Sequence, residues 1–222
     1  VIKRYKTDYS NHVHQLLVTP SKHFYVTRKG TLKYQKKAFE LKLGKDPDDG
    51  KTHILHYIVR DHFSGLFYWE LCQFQEPIPI WKFLFRAWSI TDDQHLFGFP
   101  EFITIPKNAL DYFPPLQKFI ENIGIKKLKV TSGFQGGVRD LRTIEEHLKF
   151  ESFFHPELQQ RRAEPQFESI LEWIPKINRR MALYPSSKKS KIKAWMAGHF
   201  EKKTLYVPES VDSFQRLYED QD

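Results

Sequence analysis

Apolar and polar positions along this chain change period several times, and each change marks an element. Residues 52–60 and 66–71 are rich in β-branched and aromatic side chains and flank Asp61-His62-Phe63-Ser64-Gly65, the pattern of two strands joined by a short polar loop. Upstream, Phe24-Tyr25-Val26-Thr27 has β character and Lys29-Gly30 reads as a turn. Residues 38–43 alternate apolar with charged side chains, the period of a half-buried strand, and the stretch 44–50, with Asp46-Pro47-Asp48-Asp49-Gly50, is a turn by composition. After Pro77 and Pro79 the period becomes helical: Ile80, Trp81, Leu84, Phe85 and Trp88 form one apolar stripe, expected to be core rather than a base-stacking platform.

The second half alternates strand and helix. Residues 100–105 read as a short strand stopped by Pro106, and Pro114 opens a helix through Leu116, Phe119, Ile120 and Ile123 that ends at Gly124. A strand over 125–130 leads into a glycine-containing loop, 131–137, and then a helix carried by Val138, Leu141, Ile144 and Leu148. Beyond residue 150 the chain is polar and helical. An amphipathic helix is predicted over 167–181, a second over 188–197 capped by Ser186-Ser187, a short strand over 204–207 and a final helix within 208–218. Antiparallel strands followed by alternating strands and helices imply an α/β fold with a sheet of mixed direction. Three regions are expected: 1–37, a basic arm or small sheet; 38–150, the core; and 151–222, a helical C-terminal extension.

Charge sharpens this division. The 222 residues carry a net charge of +8, distributed as +9 over residues 1–45, −5 over 46–115, +3 over 116–150 and +1 over 151–222. Basic surface at both ends is the electrostatic footprint of a polyanion binder, because each phosphate neutralised releases counterions; a lysine-rich solubilising surface has the same composition. The single cysteine, Cys72, excludes an intrachain disulfide and any zinc site built on two or more cysteines. No apolar run is long enough to span a bilayer and no signal-peptide pattern opens the chain, so a cytoplasmic protein without membrane contact is expected.

Three segments bear on chemistry. Ile58-Val59-Arg60-Asp61-His62-Phe63-Ser64-Gly65-Leu66-Phe67 contains D-x-F-S-G; Gly98-Phe99-Pro100-Glu101-Phe102-Ile103-Thr104-Ile105-Pro106-Lys107-Asn108-Ala109 follows the outline G-x-P-x-x-I; and Phe119 through Gly124-Ile125 leads to Ser132-Gly133-Phe134-Gln135-Gly136-Gly137-Val138-Arg139. In order and spacing they resemble the catalytic core of retroviral integrases and related transposases, over about residues 38–150. The stretch 177–195 is similar, more weakly, to the helix pair that often ends such cores. The resemblance implies an RNase H-like fold in which three carboxylates hold two divalent cations about 3.5–4 Å apart. Carried onto this chain, the first position falls near Glu40, the second on Lys107 and the third on Arg139. Cations at two of them cannot ligate Mg²⁺ and would repel it.

The resemblance with these departures implies a catalytically inactive, integrase-like DNA-binding protein, needing no metal or cofactor, within a mobile-element or transposition assembly, its protein partners being either further copies of itself or other members of a transposition complex. Expected DNA contacts are Lys107 and Arg139 in the former metal cleft, Lys36 and Lys37 in the basic arm, where Lys3, Arg4, Lys6 and Lys33 also lie, and Arg179, Arg180, Lys188 and Lys189 near the C-terminus, with Lys191 and Lys193. The plain alternative makes Lys107 a solubilising residue and pairs Arg139 with Glu40 or Glu145. Two other functions stay open. A displaced carboxylate set, Asp140 in place of Arg139 with Asp61 or Asp111 as a second ligand, would make the chain an active nuclease or strand-transferase, although a helix read one residue later rotates Asp140 by about 100°; alternatively the fold serves as a protein-interaction scaffold using exposed aromatics such as Trp81 or Trp195. The ten histidines are scattered, no glycine loop has P-loop spacing, and neither Ser64 nor Ser132 sits in a nucleophile elbow.

Overall fold

The computed structural model describes residues 7–45, 49–92, 94–129, 136–154, 165–183, 185–186, 189–200 and 206–220. Among them, six strands form one mixed sheet: β1 (Val13–Val26), β2 (Leu32–Tyr34), β3 (Thr52–Asp61), β4 (Phe67–Gln73), β5 (Phe102–Thr104) and β6 (Lys126–Leu128), in the order β4-β3-β1-β5-β6 with β2 also on β1. β1 runs antiparallel to β3 (Leu16 opposite Val59) and parallel to β5 (Gln15 opposite Thr104), and β5 is parallel to β6. This mixed sheet, packed between helices, is an RNase H-like α/β arrangement.

The central strand is the part the hydrophobic pattern conceals. The sequence shows β character only at its end, Phe24–Val26, and groups the rest with the basic arm, yet residues 13–26 are all β1, covered on both faces at its start, where the alternation of a half-buried strand is absent: Val13, His14, Gln15 and Leu16 are buried in succession. Pro20 lacks the N–H a continuous ladder needs, and the pairing with β3 breaks between Pro20 and Tyr25. The expected strand at 38–43 is irregular instead. Its alternation has a local cause: the Phe39 ring packs edge-on to His53 (4.6 Å) and Tyr25 (5.9 Å), and the Lys51 ammonium lies over both the Phe39 and Tyr25 rings.

On one face of the sheet lie α1 (Ile80–Trp88), the short α2 (Lys107–Tyr112), α3 (Leu116–Asn122) and α7 (Val211–Glu219); on the other lie α4 (Gly136–Lys149), continued by a π turn (Phe150–Phe154), and α5 (Phe167–Leu183). α6 (Lys191–Phe200) brings Trp195, which is fully buried, to the first of these cores. Ser210 caps α7 by accepting from the Ser213 N–H (3.1 Å), and Phe214 fixes it by inserting among Phe119, Phe85, Phe99 and Trp88. α6 starts later than the pattern predicts. A two-residue hairpin pairs Pro185–Ser186 with Lys189–Ser190, and Ser190 takes the capping role, its Oγ accepting from the Lys193 N–H (3.3 Å). Of the strand expected at 204–207, Tyr206 and Val207 are irregular and residues 204–205 lie outside the described residues.

α5 closes one edge of the sheet with a side chain. The Asn178 Oδ1 accepts from the Trp69 N–H (3.1 Å) and its Nδ2 donates to the Trp69 carbonyl (2.8 Å), the two bonds a further strand would make. Asn178→Ala strands both buried backbone groups, and a loss of about 2 kcal/mol in urea unfolding is expected. A change under about 0.5 kcal/mol would mean the edge is satisfied some other way.

Candidate functional site

The first turn of α4, the end of β3, the first part of β1 and the start of α6 meet around one carboxylate. Asp140 is 7 % exposed, and the inward stripe of α4 runs through it at helical spacing to Ile144 and Leu148. The Arg60 Nε donates to its Oδ2 at 2.7 Å and the Lys191 Nζ to its Oδ1 at 3.1 Å. Arg60 also reaches the Gln15 Oε1 (3.4 Å), its cross-strand partner, and the Gln15 amide meets the His62 Nδ1 (3.3 Å). The Lys191 ammonium lies 4.5 Å from the Phe67 ring centroid. Two cations on one carboxylate in a nearly dry site leave it more than neutralised. Burial draws the Lys191 ammonium below the ordinary lysine range, opposed by the Asp140 carboxylate and aided by Arg60.

On β1 the residue against α4 is Leu17: a Cβ added to Gly137 would lie 3.7 Å from the Leu17 Cβ. The strand position facing this site thus carries Leu17 and Gln15, not an acid. Glu40 lies exposed in the irregular segment after β2, off the sheet. Lys107 opens α2 with its side chain 88 % exposed and pairs with Asp111 one turn on (2.8 Å). Arg139 is exposed beside the exposed Val138, because Asp140 takes the inward position. Lys107 and Arg139 are thus both exposed, and the cations that meet a buried carboxylate here are Arg60 and Lys191. Arg139's supposed partner Glu145 is held elsewhere, by the Ser21 hydroxyl (2.7 Å) and His56 (3.4 Å).

The remaining expected contacts are dispersed. Lys36 and Lys37 are exposed after β2; Arg179 and Arg180 are exposed on α5, with Arg180 bonded to Glu151; Lys189 is in the small hairpin, and Lys3, Arg4, Lys6 and Lys188 lie outside the described residues. The displaced carboxylates do not gather either. Asp61 is fully buried and accepts from the Asn11 N–H (3.0 Å) and from the Ser64 N–H (2.8 Å) and hydroxyl (2.6 Å), so the D-x-F-S-G motif serves the turn. Burial raises its pKa, opposed by those hydrogen bonds. Among the described residues no three His, Cys, Asp or Glu side chains are placed to share a metal ion.

Sequence reasoning missed Lys191 and Arg60 as partners, because they meet only in the fold. Asp140 had a signal: it stands four residues before Ile144 and eight before Leu148.

No protein-family model matches this sequence, and no curated protein matches it. Its fold has a counterpart. A chain in the cryo-EM structure of the simian T-cell lymphotropic virus intasome in complex with PP2A regulatory subunit B56 gamma superposes with a TM-score of 0.52 at 14 % identity, covering 94 % of this chain and 61 % of that one. The chain thus spans about three fifths of its structural counterpart's length, and at this identity the likeness is one of fold: integrase-like. Among the described residues no helix is long and apolar enough to cross a membrane.

Proposed function

We propose that this chain is a catalytically inactive, integrase- or transposase-like protein that binds DNA as part of a mobile-element or transposition assembly. The observation that carries the reading is the Asp140 site, where Arg60 and Lys191 occupy the carboxylate a divalent cation would need while the neighbouring strand offers Leu17 and Gln15. A built-in ammonium and guanidinium do locally what a metal would do for charge, but neither activates water nor bridges a phosphate as a Lewis acid. The DNA contacts proposed are the exposed Lys36, Lys37, Lys107, Arg139 and Arg179, with Arg180, Lys188 and Lys189 as further candidates. They act through phosphates, and the distribution over several elements suits a grip without base readout.

The test is fluorescence anisotropy with a labelled duplex across a salt series. Binding should weaken steeply with salt, and Lys107→Glu with Arg139→Glu should lower affinity about tenfold at low salt and flatten the log–log slope by about one for each phosphate contact removed. An unchanged slope removes both residues from the interface, and no salt-dependent binding by the parent chain refutes DNA binding. Mg²⁺ or Mn²⁺ should leave the thermal midpoint unmoved; a rise that saturates with ion concentration would favour a metal-dependent nuclease instead.

A further inference from the structure

β4 is an edge strand whose outward backbone groups are used in one place and left open in the next. Trp69 directs its N–H and C=O away from β3, towards Asn178, whereas the Phe74 N–H bonds inward to the His53 carbonyl (2.7 Å). In an antiparallel pair the two orientations alternate, so Leu71 and Gln73 face outward like Trp69. The Gln73 carbonyl is taken by the Glu76 N–H (3.1 Å). That leaves the Leu71 N–H, the Leu71 carbonyl and the Gln73 N–H, for which no described residue supplies a partner on that side.

These groups border a groove of about 580 Å³ between β4 and the first half of α5. Its far wall contributes a carbonyl deprived of its i+4 helical donor. Pro175, inside α5, has no N–H, so the Leu171 carbonyl one turn earlier loses its helical donor, and both residues line the groove. Leu171 and Ile174 supply apolar surface. The charged side chains lining it are Glu70, Glu76, Glu168 and Arg86; Arg86 is bonded to Glu70, and Glu76 and Glu168 are exposed, so the groove is acidic on a chain of net charge +8.

We infer that the β4 edge at Leu71 is a docking site for an extended, basic peptide segment of a partner protein, added to the sheet as a short further strand. Backbone groups on both walls match a peptide's alternating donors and acceptors, the carboxylates select a cationic side chain, and Asn178 ends the site by occupying the next ladder position. The groove shares no lining residue with the Asp140 cluster and does not depend on the DNA-binding reading.

The experiment uses the ¹⁵N-labelled full chain and three capped synthetic hexapeptides: alternating Lys and Val, alternating Glu and Val, and the Lys–Val sequence N-methylated at alternate positions. Before any peptide is added, the Leu71 amide should exchange with solvent faster than the Trp69 amide that Asn178 holds. The Lys–Val peptide should then shift the Leu71 and Gln73 resonances saturably and slow their exchange about tenfold, while the other two peptides leave them unmoved. Glu76→Lys with Glu168→Lys, both surface changes, should weaken the Lys–Val peptide at least about fivefold with the spectrum otherwise retained. The inference is overturned if Leu71 and Gln73 do not respond, if the N-methylated or acidic peptide binds equally well, or if the same resonances move with protein concentration alone, which would make a second copy the occupant.

Discussion

Asp140→Ala should lower the unfolding free energy by about 3–5 kcal/mol, the usual consequence of removing one member of a buried ion cluster. Without the carboxylate, Arg60 and Lys191 face each other across a site in which the Asp140, Arg60 and Lys191 side chains were 10 %, 16 % and 10 % exposed. Two like charges then remain in a low-dielectric pocket, with the Gln15 amide oxygen as a neutral acceptor for Arg60. The sign of the effect separates two functions. In a metal site awaiting its ions, carboxylates repel one another, and deleting one stabilises the empty protein. In a cluster already neutralised from within, deletion destabilises. Urea unfolding of the parent and variant decides between them: a loss below about 0.5 kcal/mol, or a gain, would sink the self-neutralised site. Asp140→Asn should fall between, because the amide oxygen still accepts one hydrogen bond but leaves one cation without its counter-charge.

The same cluster shows where sequence reasoning reaches and where it stops. Periodic elements were legible: the β3–β4 hairpin, α1, α3, α4 and α5 all lie where apolar spacing puts them. Of β1 only the end, Phe24–Val26, was legible; residues 13–23 were not, since a stretch buried on both faces has no alternation to read, and Pro20 argues against a central strand until the register break beside it is seen. Misplacing β1 displaced the first site position as well. With 13–23 left to an arm, the alternating residues 38–43 stood in for the strand and Glu40 for its acid, although that alternation reflects Phe39 packing on His53 and Tyr25. On α4 the choice between Arg139 and Asp140 depends on one residue of phase. Ile144 and Leu148 fix it in favour of Asp140, whereas Val138, 57 % exposed, points the wrong way. Lys191 and Asn178 carried no local signal at all; each acts on a residue between about 50 and 110 positions away in the chain, a distance only the fold closes.

His14 should make the protein acid-labile at moderate pH. It is fully buried between two fixed partners: the Trp88 Nε1 donates to its Nδ1 (3.1 Å), and its Nε2 donates to the Asn11 Oδ1 (2.9 Å), while Asn11, in a left-handed conformation at φ 62°, donates from its backbone to Asp61 and from its side chain to the Phe97 carbonyl (3.0 Å). A second proton on Nδ1 would meet the indole N–H head-on. Burial lowers the His14 pKa from 6.5 to about 3. Between these values the unfolded chain takes up a proton that the folded chain refuses, so stability falls as pH drops, by about 1.4 kcal/mol per unit, roughly 2–3 kcal/mol from pH 6 to pH 4. Asp61 acts with the opposite sign, since its raised pKa lets the folded state keep a proton in the acidic range, and Glu145 acts with the same sign as His14, its pKa lowered despite burial by His56 and Ser21. Both are common to the parent and His14→Gln, so the difference between their urea midpoints isolates the imidazole. That difference should shrink steadily from pH 6.5 towards pH 4 as the parent loses stability faster; parallel curves would show that His14 keeps an ordinary pKa, and that the Trp88–His14–Asn11 chain does not exclude the proton.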